Sequence, residues 1–199
     1  MLEAYGMTEA AHQVASNPLP PRPHKPGTVG IGAGVSIIDK TGKHLEANTP
    51  GEVVVRGPNV MRGYRNNPEA NAVAFIDGWF RTGDIGAIDN DGYLALTGRI
   101  KDLINRGGEK ISPAEVEDVL LEHPAVAEAS VFGVPDPKYG EEVSAAVVLR
   151  GAATAEQLQS YCRSRLADFK VPKQIHLVSA ISKNAMGKVQ RRDLTALFS

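Results

Sequence analysis

The sequence predicts an α+β fold from three observations. The first half carries short apolar runs closed by Gly, Asp and Asn turns, the pattern of β structure. The second half carries helix-start signals alternating with such runs. The change of style falls near residues 98–102, which divides the chain into a β-rich part, residues 1–100, and a smaller α/β part, residues 101–199.

Taken in order, residues 35–38 are apolar and end in the turn Asp39-Lys40-Thr41-Gly42, and Val53-Val54-Val55 follows Pro50-Gly51. Residues 79–82 and 93–97 flank Asp89-Asn90-Asp91-Gly92, a hairpin signal. Residues 18–26 are proline-rich and polar, an extended surface loop. Ser112-Pro113-Ala114-Glu115 predicts a capping box with proline at the first helical position, and His123-Pro124 stops that helix after Val116, Val119 and Leu120. Residues 129–134 and 143–149 read as strands around a Pro-Asp-Pro loop. Thr154-Ala155-Glu156-Gln157 is a second capping box, with Leu158, Tyr161, Cys162 and Leu166 as the buried stripe. A last strand at 175–178, a lysine-bearing loop and a short terminal helix complete the chain.

Composition narrows the function. The net charge of −1 gives no argument for nucleic acid or an anionic membrane as partner. Arg191-Arg192 with Lys183 and Lys188 is a local basic patch. The single cysteine, Cys162, excludes an internal disulfide framework and reads as a packing residue. No apolar run is long enough to span a bilayer. His24, His44, His123 and His176 lack metal-ligand spacing, and the 89–92 turn does not continue as a calcium loop. Gly30-Ile31-Gly32-Ala33-Gly34 has its third glycine misplaced for a dinucleotide fingerprint.

Four separated segments carry chemistry in a fixed order: Tyr5-Gly6-Met7-Thr8-Glu9, Trp79-Phe80-Arg81-Thr82-Gly83-Asp84, Gly98-Arg99-Ile100-Lys101-Asp102, and Gly187-Lys188. Together they resemble the adenylate-forming acyl-CoA synthetase superfamily, the AMP-dependent synthetases and ligases. The segments YGMTEAAHQ, SNPLPPRPHKPG, RGPNVMRGYRNNPEAN and GRIKDLINRGGEKISPAEVE are similar to the 4-coumarate–CoA ligase-like group, and within it to oxalate–CoA ligases. The resemblance covers the whole chain but only the family's C-terminal part. It implies the distal β-rich part of the large adenylation domain, then a small mobile C-terminal domain. The family's Ser/Thr/Gly-rich phosphate loop finds no match here, so the chain as it stands is expected to be inactive in adenylation.

What the resemblance implies, residue by residue, is a two-step ligase using ATP/AMP, Mg2+ and coenzyme A. Lys188 is the catalytic cation, its ammonium placed between substrate carboxylate and α-phosphate. Gly187 allows close approach of its loop. Tyr5 stacks on adenine, beside Gly6. Thr8 donates to the α-phosphate and Glu9 helps hold Mg2+. Asp84 accepts from the ribose hydroxyls and Arg99 supports ribose and phosphate. Lys101 is the hinge about which the small domain rotates. Gly107 and Gly108 leave a channel for pantetheine. His12 faces the second carboxylate of a small diacid such as oxalate. Each has a plainer alternative, from a solvated loop lysine at 188 to an ordinary tight turn at 107–108. The competing functions are a medium-chain fatty acid or 4-coumarate-type CoA ligase, and a catalytically inactive nucleotide-binding chain. Ala-Leu-Phe-Ser at the end is no Ser-Lys-Leu peroxisomal address, which favours the cytoplasm over the peroxisome.

Overall fold

The computed structural model describes residues 2–185, 187 and 189–198. They fall into two compact units, Met1–Lys101 and Asp102–Ser199.

The first unit is β-rich. β1 (Ala4–Met7) and β2 (His12–Ser16) form an antiparallel pair around a single 3-10 turn, Thr8–Ala10. A five-stranded antiparallel sheet follows, from β3 (Val35–Ile38), β4 (Gly51–Val55), β5 (Phe75–Ile76), β6 (Trp79–Ile88) and β7 (Leu94–Arg99). β6 organises it, pairing with β4, β5 and β7. The β6–β7 hairpin turns where the sequence requires it: the Asp89 carboxylate accepts from the backbone amides of Asp91 and Tyr93, and Lys25 pairs with both Asp89 and Asp91. That pairing accounts for the acidic turn without a metal. β4 is buried along Val53, Val54 and Val55; Val55 packs with Phe80 in one apolar cluster, and Val53 with Ile37 and Leu94 in another.

The sequence reading missed α1 (Pro68–Ala74). Asn67 caps it by accepting from the Ala70 amide at 3.0 Å, and Pro68 opens it. None of its residues is buried, so no apolar stripe betrays it.

The second unit is a sheet covered on both faces. β8 (Ile104–Arg106) and β9 (Glu109–Ile111) form a small hairpin, and β10 (Val126–Asp136) and β11 (Gly140–Leu149) a long one. β12 (Gln174–Leu177) adds parallel to β11. Strand alternation sorts the side chains. Val131, Val143, Ala145 and Val147 point to one face, where α2 (Pro113–Leu121) and α3 (Ala155–Arg163) bring Val116, Leu120, Leu158 and Cys162. Phe132 and Ala146 point to the other, where α4 (Arg191–Phe198) brings Leu194. Each Val, Leu or Phe among them contributes about 1.5–3 kcal/mol by leaving water, and the alanines less. Cys162 is a packing residue: burial pushes its thiol up to about 11.

The two helix starts differ. Thr154 caps α3 in a full capping box, its hydroxyl accepting from the Gln157 amide while Gln157 accepts from the Thr154 amide. At α2, Pro113 is first as expected, but Ser112 makes no side-chain cap bond, which corrects the capping box expected there. The Glu115 carboxylate that would close it is drawn to Lys170, at 2.6 and 2.8 Å.

Candidate active site

In the first unit the site is built on the β6–β7 pairing. Register places Asp84 directly opposite Arg99, and Arg99 Nε donates to Asp84 Oδ1 at 2.6 Å. The Tyr5 hydroxyl, from β1, donates to Asp84 Oδ2. Three residues separated by up to 94 positions therefore meet on one carboxylate that is only 4% exposed. Burial, reinforced by the bond to Asp84, pushes the Tyr5 phenol well above its ordinary value. A carboxylate oxygen can accept more than one hydrogen bond, so these contacts do not by themselves exhaust the Asp84 acceptors.

The backbone around Asp84 is tied down independently. Thr82 Oγ1 donates to Val53 O at 2.7 Å and accepts from the Asp84 amide at 3.0 Å. Glu52, 8% exposed, accepts from Arg81 at 2.6 and 3.0 Å and from the Gly83 amide at 3.3 Å. Sequence reasoning missed this Glu52–Arg81 support, because the pair lies 29 residues apart on neighbouring strands.

Beside this cluster Tyr5, Gly6, Thr8, His12 and Gln13 line an open groove of about 520 Å³. The groove holds the clearest backbone strain near the site: Ala11 and His12 have φ of 48° and 79°, left-handed values uncommon for non-glycine residues. Gly6 has a packing reason to be glycine, since a Cβ there would lie 1.7 Å from the His12 carbonyl oxygen. Glu9 is half-buried off the groove lining, where it accepts from the Tyr64 hydroxyl at 3.3 Å. Among the described residues no group of three or more His, Cys, Asp and Glu could hold a metal, which leaves Glu9 as a single carboxylate donor. Lys101 is exposed in the 3-10 turn Ile100–Asp102 and is the last residue of the first unit.

In the second unit, Gly107 and Gly108 form the two-residue turn between β8 and β9, with φ of 59° and 98°. Those values account for both glycines locally, as a tight turn does. Below the turn, the Gly107 amide donates to Tyr139 O at 2.8 Å, and the Arg106 guanidinium lies 4.0 Å over the Tyr139 ring while donating to buried Glu142 at 2.5 Å. Lys188 lies outside the described residues, as does Met186. Their neighbours are placed: Lys183 and Val189 form an antiparallel bridge, and the Gly187 amide donates to Asn184 O at 2.8 Å. Gly187 is left-handed at φ 76°, and an added Cβ would meet nothing within 4 Å, so its local need is conformation rather than close approach.

Residues 1–65 match the AMP-binding enzyme family, and residues 115–188 match the AMP-binding enzyme C-terminal domain. The chain belongs to the AMP-binding enzyme family. It is 56% identical to an oxalate–CoA ligase of Arabidopsis thaliana, over all of this chain and 40% of the relative. It is 44% identical to a 2-succinylbenzoate–CoA ligase of Bacillus licheniformis, over 98% of this chain and 41% of the relative. The crystal structure of ATP-bound MatB from Rhodopseudomonas palustris superposes with a TM-score of 0.91 at 38% identity, over all of this chain and 41% of that one. The chain thus spans about two-fifths of the length of the relatives it matches. Among the described residues no helix is long and apolar enough to cross a membrane.

Proposed function

We propose that the protein works as part of an ATP-dependent acid–CoA ligase, with oxalate as the acid. The observation that carries this reading is the buried Asp84 carboxylate, held between Arg99 and Tyr5, with Tyr5 itself lining a groove alongside Thr8 and His12. A rigidly placed carboxylate, able to accept more than one bond per oxygen, suits the paired hydroxyls of a ribose. The Tyr5 ring lines the groove and is available to an adenine face, while its hydroxyl fixes Asp84. Arg99 sets the direction of Asp84 through its Nε bond and brings a positive charge to the ribose and phosphate.

The reaction has two displacements. A carboxylate oxygen of the acid attacks the α-phosphorus of ATP, pyrophosphate leaves, and an acyl-adenylate forms. The CoA sulfur then attacks the acyl carbon and AMP leaves. Both steps move negative charge, so fixed cations and donors do most of the work. Thr8 donates to the α-phosphate. Lys188 offsets charge on the pentavalent phosphorus. Glu9 would supply one carboxylate to Mg2+, an ion that would offset the polyphosphate charge when bound. The residues fit that ion only as a partial donor set. Lys101 acts as the hinge between a large-domain portion and a mobile C-terminal domain, and the Gly107-Gly108 turn borders the pantetheine path.

The choice of oxalate rests on His12 in the groove and on the higher identity to an oxalate ligase than to a succinylbenzoate ligase. A donor at His12 suits a second carboxylate close to the first, whereas a fatty or aromatic acid wants an apolar wall. The test is AMP release by a chain extended upstream to the relatives' length, with CoA and each acid in turn. Oxalate is expected to turn over fastest, and His12→Ala to weaken oxalate selectively. Faster turnover of 2-succinylbenzoate, a medium-chain fatty acid or 4-coumarate overturns the substrate. No AMP with any acid leaves a nucleotide-binding protein without ligase activity.

A further inference from the structure

Arg191 begins α4, three residues after Lys188, and it makes more polar contacts than helix docking requires. Its Nη2 donates to both Glu117 oxygens at 2.8 and 3.0 Å, its Nη1 to Asp102 Oδ2 at 3.3 Å, and its Nε to the Val131 carbonyl at 3.1 Å. Glu117 in turn accepts from the Val131 amide at 2.8 Å. One guanidinium therefore joins the first turn of α4 to α2, to the middle of β10, and to Asp102, the first residue of the second unit. The planar fork of five donors is what lets a single side chain reach three acceptor groups.

Apolar contacts already dock α4. Leu194 is 4% exposed, and the Phe198 ring stacks on His176 at 4.0 Å and on Phe132 at 6.0 Å. Partly buried ion pairs add little net stability, because desolvation offsets their attraction, but they set register. The other flank of the lysine segment is held by buried Ile181, packed with Phe132 and Leu194, and by a surface ion pair. Lys183 pairs with Glu128 at 2.6 Å, and both side chains are 40% or more exposed, so that pair is of small value.

We propose that Arg191 is a positioning residue for adenylation. It clamps the C-terminal flank of the Lys188 segment to the body of the second unit and to the boundary residue Asp102. The proposal rests on Lys188 being the adenylation cation.

The test uses the upstream-extended chain and separates the half-reactions. Arg191→Ala is expected to lower kcat for acyl-adenylate formation about 100-fold, as a misplacement near 1 Å does, with little change in KM. Thioester formation from supplied acyl-adenylate and CoA, which does not use Lys188, stays within about three-fold of wild type. Arg191→Lys recovers only part of the adenylation rate, because one ammonium cannot span Glu117 and Asp102 together. Glu117→Gln, a gentler loosening of the same clamp, gives a smaller loss of the same selectivity. In the 199-residue chain, Arg191→Ala speeds hydrogen exchange at residues 183–189 while β10 and β11 stay protected. Equal loss of both half-reactions in Arg191→Ala and Glu117→Gln, or exchange rising across the whole unit in both, overturns the proposal in favour of a structural role. So does unchanged adenylation in Arg191→Ala when Lys188→Ala abolishes it, and the reading of Lys188 then survives. Unchanged adenylation in Lys188→Ala removes that reading and this proposal with it.

Discussion

Replacing Tyr5 by Phe removes one oxygen atom and one bond, the hydroxyl donation to Asp84 Oδ2. The carboxylate side chain is 5% exposed, and Arg99 Nε donates to its other oxygen at 2.6 Å. A hydrogen bond to a charged group is worth about 1.5–3 kcal/mol, and a buried acceptor left unmade costs within the same range. Tyr5 is half-buried, so water can partly replace the lost donor, and the expected loss is about 2 kcal/mol. For a unit of this size that lowers the melting temperature by about 10 °C, or moves a urea midpoint by about 1 M. Trp79 is the sole tryptophan in the sequence and lies on β6, the strand that carries Asp84. Its indole packs 4.4 Å from the Arg56 guanidinium and edge-on to His44, so its emission reports the first unit's unfolding. Fluorescence-monitored urea unfolding of wild type and Tyr5→Phe is the assay. A midpoint shift below about 0.2 M, with an unchanged slope, refutes the claim that Tyr5 and Asp84 form a unit.

Other outcomes follow from the same contacts. The Tyr5 phenol titrates above its unfolded value near 10, so its contribution is fully present below that pH and is lost as pH climbs toward the folded value. The wild-type first unit should therefore destabilise more steeply than Tyr5→Phe between about pH 10 and 11.5, read by Trp79 fluorescence, and parallel curves contradict this. Thr154→Ala breaks the α3 capping box and should cost about 1 kcal/mol, seen as roughly five-fold faster hydrogen exchange in the first turns of α3. Gly108→Ala should destabilise the second unit by about 1–2 kcal/mol from its positive φ alone, since the added methyl would meet nothing within 4 Å. In the extended enzyme the same substitution should slow thioester formation more than adenylation, and equal slowing of both contradicts a role beside pantetheine.

What could be read from the sequence was what is local. The Asp-Gly turn at 89–92, the capping box at 154–157 and the α2 stripe are written in neighbouring residues, and the structure forms them; of the α3 stripe, Leu158 and Cys162 are buried, while Tyr161 is only half-buried and Leu166 lies past the helix end. Ser112 failed as a capping box because Lys170, 55 positions from Glu115, competes for its carboxylate. α1 hid because it buries nothing, and β8 and β9 because three residues are too few to show alternation. For the site, motif order pointed to Tyr5, Asp84 and Arg99, but not to their convergence. That depends on the β6–β7 register and on contacts spanning 79 residues. Arg191 read as part of a surface basic patch, and only the fold brings Glu117 and Asp102 to it.

Carboxylate-dependent exchange of pyrophosphate into ATP by the upstream-extended chain tests the central claim most directly. Oxalate-driven exchange is expected in wild type, with a loss of about 100-fold or more in Lys188→Ala and a comparable loss in Asp84→Ala. Exchange that persists in Asp84→Ala, or that no carboxylic acid elicits from a folded wild-type chain, contradicts it.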